Sequence, residues 1–115
     1  MKNQTIKSLN PMYLSEDIND ILNNDENAAL EFKESRGNFS NKDRSDYCAA
    51  LANMGGGKLL LGVSDQKKVV GTSVYSGTIN RIPQEVYKDI GITINIFEVQ
   101  HPDGRVIIFE VPPRP

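Results

Sequence analysis

The sequence predicts an α+β fold in which a mixed β-sheet has two to three helices packed on it. The aliphatic run "LLLGV" at residues 59–63 is typical of an interior strand that is covered on both faces. The segments "ITINIFEV" and "VIIFEV" flank the turn "HPDGR" and predict a β-hairpin. Residues 41–54 have the apolar spacing of a helix with one buried face. This mixture of crossovers and hairpins favours a mixed sheet over a doubly wound parallel one.

The N-terminal region divides into an arm and a first helix. Residues 1–14 are expected to form a flexible arm, and residues 15–115 to fold as one domain. A helix is predicted to begin with Ser15 as its N-cap and acidic residues in its first turn. Its apolar stripe consists of Ile18, Ile21 and Leu22. Because the chain stops after "PPRP" with no terminal helix, we expect a domain taken from a longer protein.

Short patterns predict the next two elements. In "AALEFKES", Leu30 and Phe32 alternate with charged residues, as in a strand with one apolar face. Ser40 is expected to cap the following helix, with Asp43 in the capping-box position three residues later. That helix is predicted to span residues 41–54.

The second half of the chain contains one ambiguous stretch. The segment "VVG" at residues 69–71 predicts a short return strand after the turn "SDQKK". Residues 77–90 keep the apolar spacing of a helix, but Pro83 interrupts it. The alternation of "ITINIFEV" begins at Ile92, so the strand is expected to begin there. The prolines of "PPRP" end the last strand, since proline cannot donate to a β-ladder.

Composition excludes several classes of protein and site. The 115 residues carry a net charge of −2, which argues against a strong nucleic-acid binder unless the bases cluster locally. No apolar stretch approaches the roughly 20 residues of a membrane span, and no signal peptide is recognisable. Cys48 and His101 are the only residues of their types, which excludes an internal disulfide and a zinc site of Cys and His. A cytoplasmic protein without a membrane partner is expected.

Three consecutive glycines at residues 55–57 precede Lys58 and suggest a phosphate-binding loop. A P-loop requires glycine where this chain has Ala52, and a hydroxyl residue where it has Leu59. It also joins a strand to a helix, whereas this turn is predicted to join a helix to a strand. A tight turn is therefore expected. One glycine is enough to end a helix, so the other two leave open that a ligand or a second chain approaches the turn.

Three carboxylates are candidates for chemistry. Glu31 projects from a strand predicted beside the "LLLGV" strand, and Asp65 lies just beyond the end of that neighbour. With Glu26, these side chains are candidates to hold Mg²⁺ or Mn²⁺, since both ions take oxygen ligands, and to activate water against a phosphodiester. The alternative, which the residues alone favour, is a solvated acidic face and a turn-forming aspartate.

Several motifs in this order resemble the Schlafen AlbA-like domain. They are "LEFKES", "ALANMGGGKLLLGVSD", "VVG" and "VIIFEVPPRP", and the similarity extends over residues 26–115. The family is described as DNA-binding and stands at the N-terminus of bacterial transcriptional regulators and ATP-dependent helicase-related proteins. The resemblance implies an α+β domain with a mixed sheet, followed in the whole protein by further domains.

The resemblance also implies two kinds of site. Animal Schlafen relatives form a metal-dependent endoribonuclease from two glutamates five residues apart and a later aspartate, which Glu26, Glu31 and Asp65 match. For the bacterial relatives it implies nucleic-acid binding, with DNA the expected form. The expected contacts are bases and glycine N–H groups around the turn: Arg36, Lys42, Arg44, Asn53, Gly55, Gly56, Gly57 and Lys58.

A nucleic-acid-binding module that needs no cofactor and is not itself an enzyme is therefore the first expectation. A protein-interaction module, such as a homodimer formed through the strand-rich C-terminal half, is the second. The metal-dependent nuclease is the third.

Overall fold

The structure, a computed structural model, describes residues 13–23 and 29–115. This part of the chain contains three α-helices and four strands. In chain order they are α1 (Ser15–Leu22), β1 (Leu30–Lys33), α2 (Asn41–Asn53), β2 (Gly57–Leu61), α3 (Ile82–Ile90), β3 (Asn95–His101) and β4 (Gly104–Val111). A 3₁₀ turn at Ile79–Arg81 leads directly into α3. The predicted α+β class is confirmed.

The four strands lie in the order β1-β2-β4-β3 and form the predicted mixed sheet. β1 is parallel to β2, and α2 connects them as a crossover. β4 is antiparallel to both β2 and β3. The hairpin of β3 and β4 closes between His101 and Gly104. β2 therefore occupies an interior position, as its leucine run predicts.

Both faces of the sheet are covered, and β2 contributes to both cores. Leu59 and Leu61 face α2 and α3, whereas Leu60 faces Ile18 of α1. All three leucines are fully buried. Each such side chain contributes about 1.5–3 kcal/mol relative to an exposed position, so β2 anchors both layers.

The helix caps agree with the sequence at α2 and differ by one residue at α1. Ser40 Oγ accepts a hydrogen bond from the Asp43 amide at 3.0 Å, as predicted. At α1 the N-cap is Leu14 rather than Ser15, and its amide donates to the Asp17 carboxylate at 2.7 Å. Ser15 instead donates its hydroxyl hydrogen to the carbonyl of Gln100 on β3 (3.3 Å). The predicted cap is wrong because Ser15 is already the first helical residue, and Leu14 before it has the extended backbone of a cap.

The ambiguous stretch at residues 77–90 is a 3₁₀ turn followed by α3. Pro83 lies in the first turn of α3, where a missing N–H breaks no helical hydrogen bond. Gly91, with a φ of 71°, ends the helix in the left-handed conformation.

Two predicted strands are shorter than the sequence suggests. The return strand at residues 69–71 is a single antiparallel bridge between Val63 and Val69. β3 begins at Asn95, although Ile92 and Ile94 before it are buried in the core. Their alternation therefore reports burial rather than pairing in the sheet, whose register with β4 begins at Asn95 and Glu110.

Tyr13 is part of the folded domain although the sequence suggested a flexible arm through residue 14. Its hydroxyl donates to the carboxylate of Glu110, and its ring packs edge-on against Phe97 with centroids 5.1 Å apart. The rest of the predicted arm, residues 1–12, lies outside the described residues.

The three glycines form a corner between α2 and β2. A Cβ at Gly56, where φ is 91°, would lie 2.9 Å from the carbonyl oxygen of Val111. A Cβ at Gly57 would lie 2.5 Å from the carbonyl oxygen of Ala29. Gly55 also has positive φ, 100°, but open space around it. The corner is thus a tight turn that packs backbone against backbone.

Arg44 joins α2 to α3 from within the core. Its side chain is 1% exposed, and its Nη1 and Nη2 atoms donate to Glu85 (3.2 Å) and Asp89 (3.1 Å). These two acids lie one turn apart on α3, so one planar guanidinium holds both. Arginine suits the position because it stays charged when buried.

Replacing Gly56 by alanine is expected to destabilise the domain more than replacing Gly55. Both changes force an L-residue into the left-handed region, at about 1–2 kcal/mol. Only Gly56→Ala also drives a Cβ into the backbone of residues 111–113, which adds at least about 1 kcal/mol. Urea denaturation would measure both losses. If Gly55→Ala and Gly56→Ala lower the free energy of unfolding equally, the close backbone packing at Gly56 is contradicted.

Replacing Arg44 by alanine is expected to lower the free energy of unfolding by about 2 kcal/mol, because two charge-assisted hydrogen bonds and a buried side chain are removed. Lys42→Ala on the same helix removes an exposed charge and is the matched control, with an expected change within about 0.5 kcal/mol. Chemical denaturation followed by circular dichroism would compare the two. An Arg44→Ala variant as stable as the control would refute the structural role.

Candidate nucleic-acid interface

The loop before α2 and the first turn of α2 present two exposed bases. The side chains of Arg36 and Lys42 are 63% and 82% exposed. Each pairs with an exposed acid, Arg36 with Glu34 at 2.8 Å and Lys42 with Asp46 at 2.6 Å. Such surface ion pairs are worth about 0–1 kcal/mol, so a phosphate can replace the acid at little cost.

Hydrogen bonds to its backbone hold the loop that carries Arg36. The Ser73 amide donates to the carbonyl of Arg36 at 2.8 Å. The hydroxyl of Thr72, a buried residue, donates to the carbonyl of Ser35 at 2.5 Å. The backbone position of Arg36 is therefore fixed, while its side chain remains in solvent.

Arg44 is not available for a ligand, contrary to the sequence-based expectation. The sequence grouped it with Lys42 as a phosphate contact, yet its guanidinium is buried between Glu85 and Asp89. Because the charge of Arg44 is buried and pairs with two acids of another helix, this residue has a structural role.

The glycine corner is also less open to a ligand than the sequence suggested. The N–H groups of Gly55 and Gly56 already donate to the carbonyl oxygens of Ala52 (3.3 Å) and Leu51 (2.8 Å). They satisfy the end of α2, so they are not free for phosphate oxygens. The expectation that these two amides bind phosphate is wrong for this conformation.

Asn53 contacts the C-terminal segment of the chain. Its Oδ1 atom accepts a hydrogen bond from Nε of Arg114 at 2.7 Å. The Arg114 amide donates to the carbonyl of Ala52 at 2.9 Å. The segment after β4 thus covers the end of α2, with Asn53 as one of its attachment points.

An open groove of about 420 Å³ lies beside the corner. Its lining includes residues 55–57 and Lys58, together with Thr93, Asn95 and Glu110. Lys58 stands opposite Glu110 in the register of β2 and β4. One base, one acid and two uncharged polar side chains make this groove suitable for a polar ligand rather than for a row of phosphates alone.

The acid in this groove affects Tyr13. Burial raises the pKa of the Tyr13 hydroxyl, and so do its hydrogen bond to Glu110 and the negative charge of Glu110. Tyr13 therefore remains a neutral donor to Glu110 at any physiological pH, and this bond fixes one wall of the groove.

Two of the three candidate carboxylates lie near one ammonium group. The pKa of Lys33 is raised by its contact with Tyr47, against the opposing effect of desolvation, and further by the charges of Glu31 and Asp65. Glu26 lies outside the described residues. Within residues 13–23 and 29–115, no three His, Cys, Asp or Glu side chains are grouped so as to hold a metal ion.

The contacts of Lys33 were not predicted from the sequence. Its Nζ atom lies 4.8 Å from the centroid of the Tyr47 ring, and Tyr47 stacks on Phe39 with centroids 6.2 Å apart. The alternation in β1 places Lys33 on the same face as Glu31, toward α2, and this was the available signal. The aromatic partners come from elements that alternation within β1 cannot identify.

The single cysteine and histidine have structural surroundings. Cys48 is buried in α2, and burial raises the pKa of its thiol to about 11, with a smaller opposing effect of Arg44. His101 lies 2.8 Å from Asn19 Oδ1 through Nε2, and its Nδ1 accepts a hydrogen bond from the Asp103 amide at 3.0 Å. Neither residue joins the carboxylates or the groove at the corner.

None of the helices in the described parts of the chain is long and apolar enough to span a bilayer.

Comparison with known proteins identifies the fold and the family. The family described as "Schlafen, AlbA_2" matches residues 26–115. The solution structure of the N-terminal domain of a Nitrosomonas europaea protein described as ATP-dependent DNA helicase RecG-related is 22% identical, with a TM-score of 0.64, and the alignment covers 90% of this chain and 76% of that chain. No curated protein is significantly similar in sequence.

A second solved structure, the DIP2311 protein from Corynebacterium diphtheriae, is 20% identical with a TM-score of 0.60. The alignment covers 84% of this chain but 21% of that chain, so the chain spans about one fifth of that relative's length. At such identities the two structures establish the fold alone. Since the family match includes all four strands and both α2 and α3, the chain belongs to the Schlafen AlbA_2 family.

Proposed function

We propose that this domain is a nucleic-acid-binding module, with DNA the expected form, of a bacterial transcriptional regulator or helicase-related protein that acts in the cytoplasm. The observation that carries the proposal is the family match over residues 26–115. The similar N-terminal domain in a protein described as DNA helicase-related supports the same class of partner.

The proposed contacts are exposed bases that can exchange an acid for a phosphate. Arg36 and Lys42 meet this condition, because their acid partners lie in solvent. Lys58 in the groove is proposed to contribute from the corner. The amide nitrogen of Asn53 is proposed to contribute as well, since it is the Oδ1 atom of this side chain that binds Arg114. Contacts of this kind position a nucleic acid without reading its sequence.

Binding is expected to weaken steeply with salt, and Arg36→Ala/Lys42→Ala is expected to reduce that dependence. The slope of log K against log salt should fall by about one for each phosphate that the domain no longer neutralises, so by about two in the double variant. Fluorescence anisotropy with labelled single-stranded and duplex oligonucleotides over a range of salt would measure it.

The matched control is Lys67→Ala/Lys68→Ala, which removes the same charge from the turn between β2 and Val69. It is expected to leave the slope unchanged. If the wild-type domain binds neither oligonucleotide at low salt, the proposed function is wrong.

A second candidate, a metal-dependent nuclease, is favoured by one observation. The negative charges of Glu31 and Asp65 both raise the pKa of Lys33, so two of the three candidate carboxylates are within electrostatic range of one ammonium group. A Mg²⁺ or Mn²⁺ ion held by these oxygens would polarise a phosphodiester and activate water. The positive charge of Lys33 already balances part of theirs, so the nuclease ranks below the binding module.

If the nuclease assignment is correct, Mn²⁺ should stimulate cleavage of structured RNA, and Glu31→Ala should abolish it. Glu34→Ala is the control, because Glu34 is an acid of the same segment that pairs with Arg36 instead. Gel analysis of labelled RNA would show the products. Wild-type and Glu31→Ala proteins that are equally inactive would exclude this candidate.

A further inference from the structure

The outer side of α3 is an exposed surface that none of the contacts above uses. Ile82 and Val86 turn one side of the helix into the core. The exposed side chains on the other side are Gln84, Tyr87 and Lys88, together with Arg81, which immediately precedes the helix. We call these four residues the outer α3 face.

Arg44 pairs with the acidic side chains of α3 from inside the domain, whereas the basic side chains lie on the outer α3 face. Both acids of the helix, Glu85 and Asp89, pair with the buried guanidinium, which neutralises part of their charge from the inside. Within the described parts of the chain, neither Arg81 nor Lys88 pairs with an acid, unlike Arg36, Lys42 and Arg105. The outer α3 face is therefore locally cationic in a chain whose net charge is −2.

An exposed aromatic ring lies on the same outer side of α3 as the two cations. Tyr87 is 58% exposed, and among the large hydrophobic side chains of the described residues only Met54, at 60%, is as exposed. Arg81 and Lys88 are separated by about 10 Å along the axis, at 1.5 Å per residue. Proteins hold unpaired bases on exposed aromatic rings that have cationic side chains nearby for the phosphates.

We propose that the outer α3 face binds single-stranded nucleic acid, with Tyr87 stacking on an unpaired base and Arg81 and Lys88 contacting the flanking phosphates. This inference rests on the proposed function and adds a second contact surface and a preferred form of the partner. A duplex offers the phosphates to the two cations but keeps its bases inside the stack, so the ring discriminates in favour of single strands.

The packing of the domain gives no other role to this ring. Tyr75 and Tyr13 each pack on a phenylalanine of the sheet, and Tyr47 stacks on Phe39. No ring or cation contact of this kind involves Tyr87 in the described residues. Its replacement is expected to leave the stability of the fold unchanged, because the side chain is mainly in solvent.

The test compares the affinities of Tyr87→Ala, Tyr87→Phe and the wild type for a short labelled single strand and for the duplex of the same sequence. Loss of base stacking should weaken single-strand binding by at least about fivefold in Tyr87→Ala. Tyr87→Phe keeps the ring and should bind like the wild type. Duplex binding should be the same in all three proteins.

The role of charge at the outer α3 face is tested with Lys88→Ala. The matched control is Lys68→Ala, which removes another exposed lysine, in the turn after β2. Lys88→Ala should weaken single-strand binding and lower the slope of log K against log salt by about one, whereas Lys68→Ala should change neither. Thermal denaturation of each variant would verify that the fold is intact.

The outcomes separate this inference from the proposed function. If the wild type binds oligonucleotides and Tyr87→Ala binds them equally well, the outer α3 face is not the contact, and the proposed function stands. Equal losses for single strand and duplex would also overturn the stacking role. If Tyr87→Ala changes only the molar mass in light scattering, the face is a contact between copies of the chain. A wild type that binds neither form overturns both.

Discussion

The structure depends on the close approach of three backbone segments at the glycine corner. Gly57 lies against the carbonyl of Ala29, just before β1, and Gly56 lies against the end of β4. Any side chain there would separate β2 from its two neighbours. Since β2 carries leucines into both cores, this one approach holds the two layers of the domain in register.

The corner also explains why the glycines do not form a nucleotide loop. Their N–H groups complete the end of α2 by donating to the carbonyls of Leu51 and Ala52. A phosphate cradle needs the opposite arrangement, in which amides at the start of a helix remain free to donate to the ligand. A ligand at the neighbouring groove would therefore meet Lys58 and Asn95 rather than a ring of backbone amides.

The sequence predicts elements better than it predicts the partners of charged side chains. The Ser40 cap, the leucine strand and the C-terminal hairpin follow from local patterns, and all three are present. The role of Arg44 does not, because its partners lie 41 and 45 residues away on a helix whose start was ambiguous. For the same reason Asn53 and the Gly56 amide were assigned to a ligand, although they have partners within the chain.

Net charge is a poor guide to the partners of such a domain, because burial decides which charges the surface displays. Because Arg44 is buried, its positive charge is not displayed on the surface. It also offsets the negative charges of Glu85 and Asp89, which would otherwise repel a phosphate. Within the described residues, Arg81 and Lys88 pair with no acid, so their charges act on a ligand within about 8 Å, the screening length in physiological salt. A weakly acidic chain can thus present a locally cationic outer α3 face, because the two acids of the helix pair with the buried arginine.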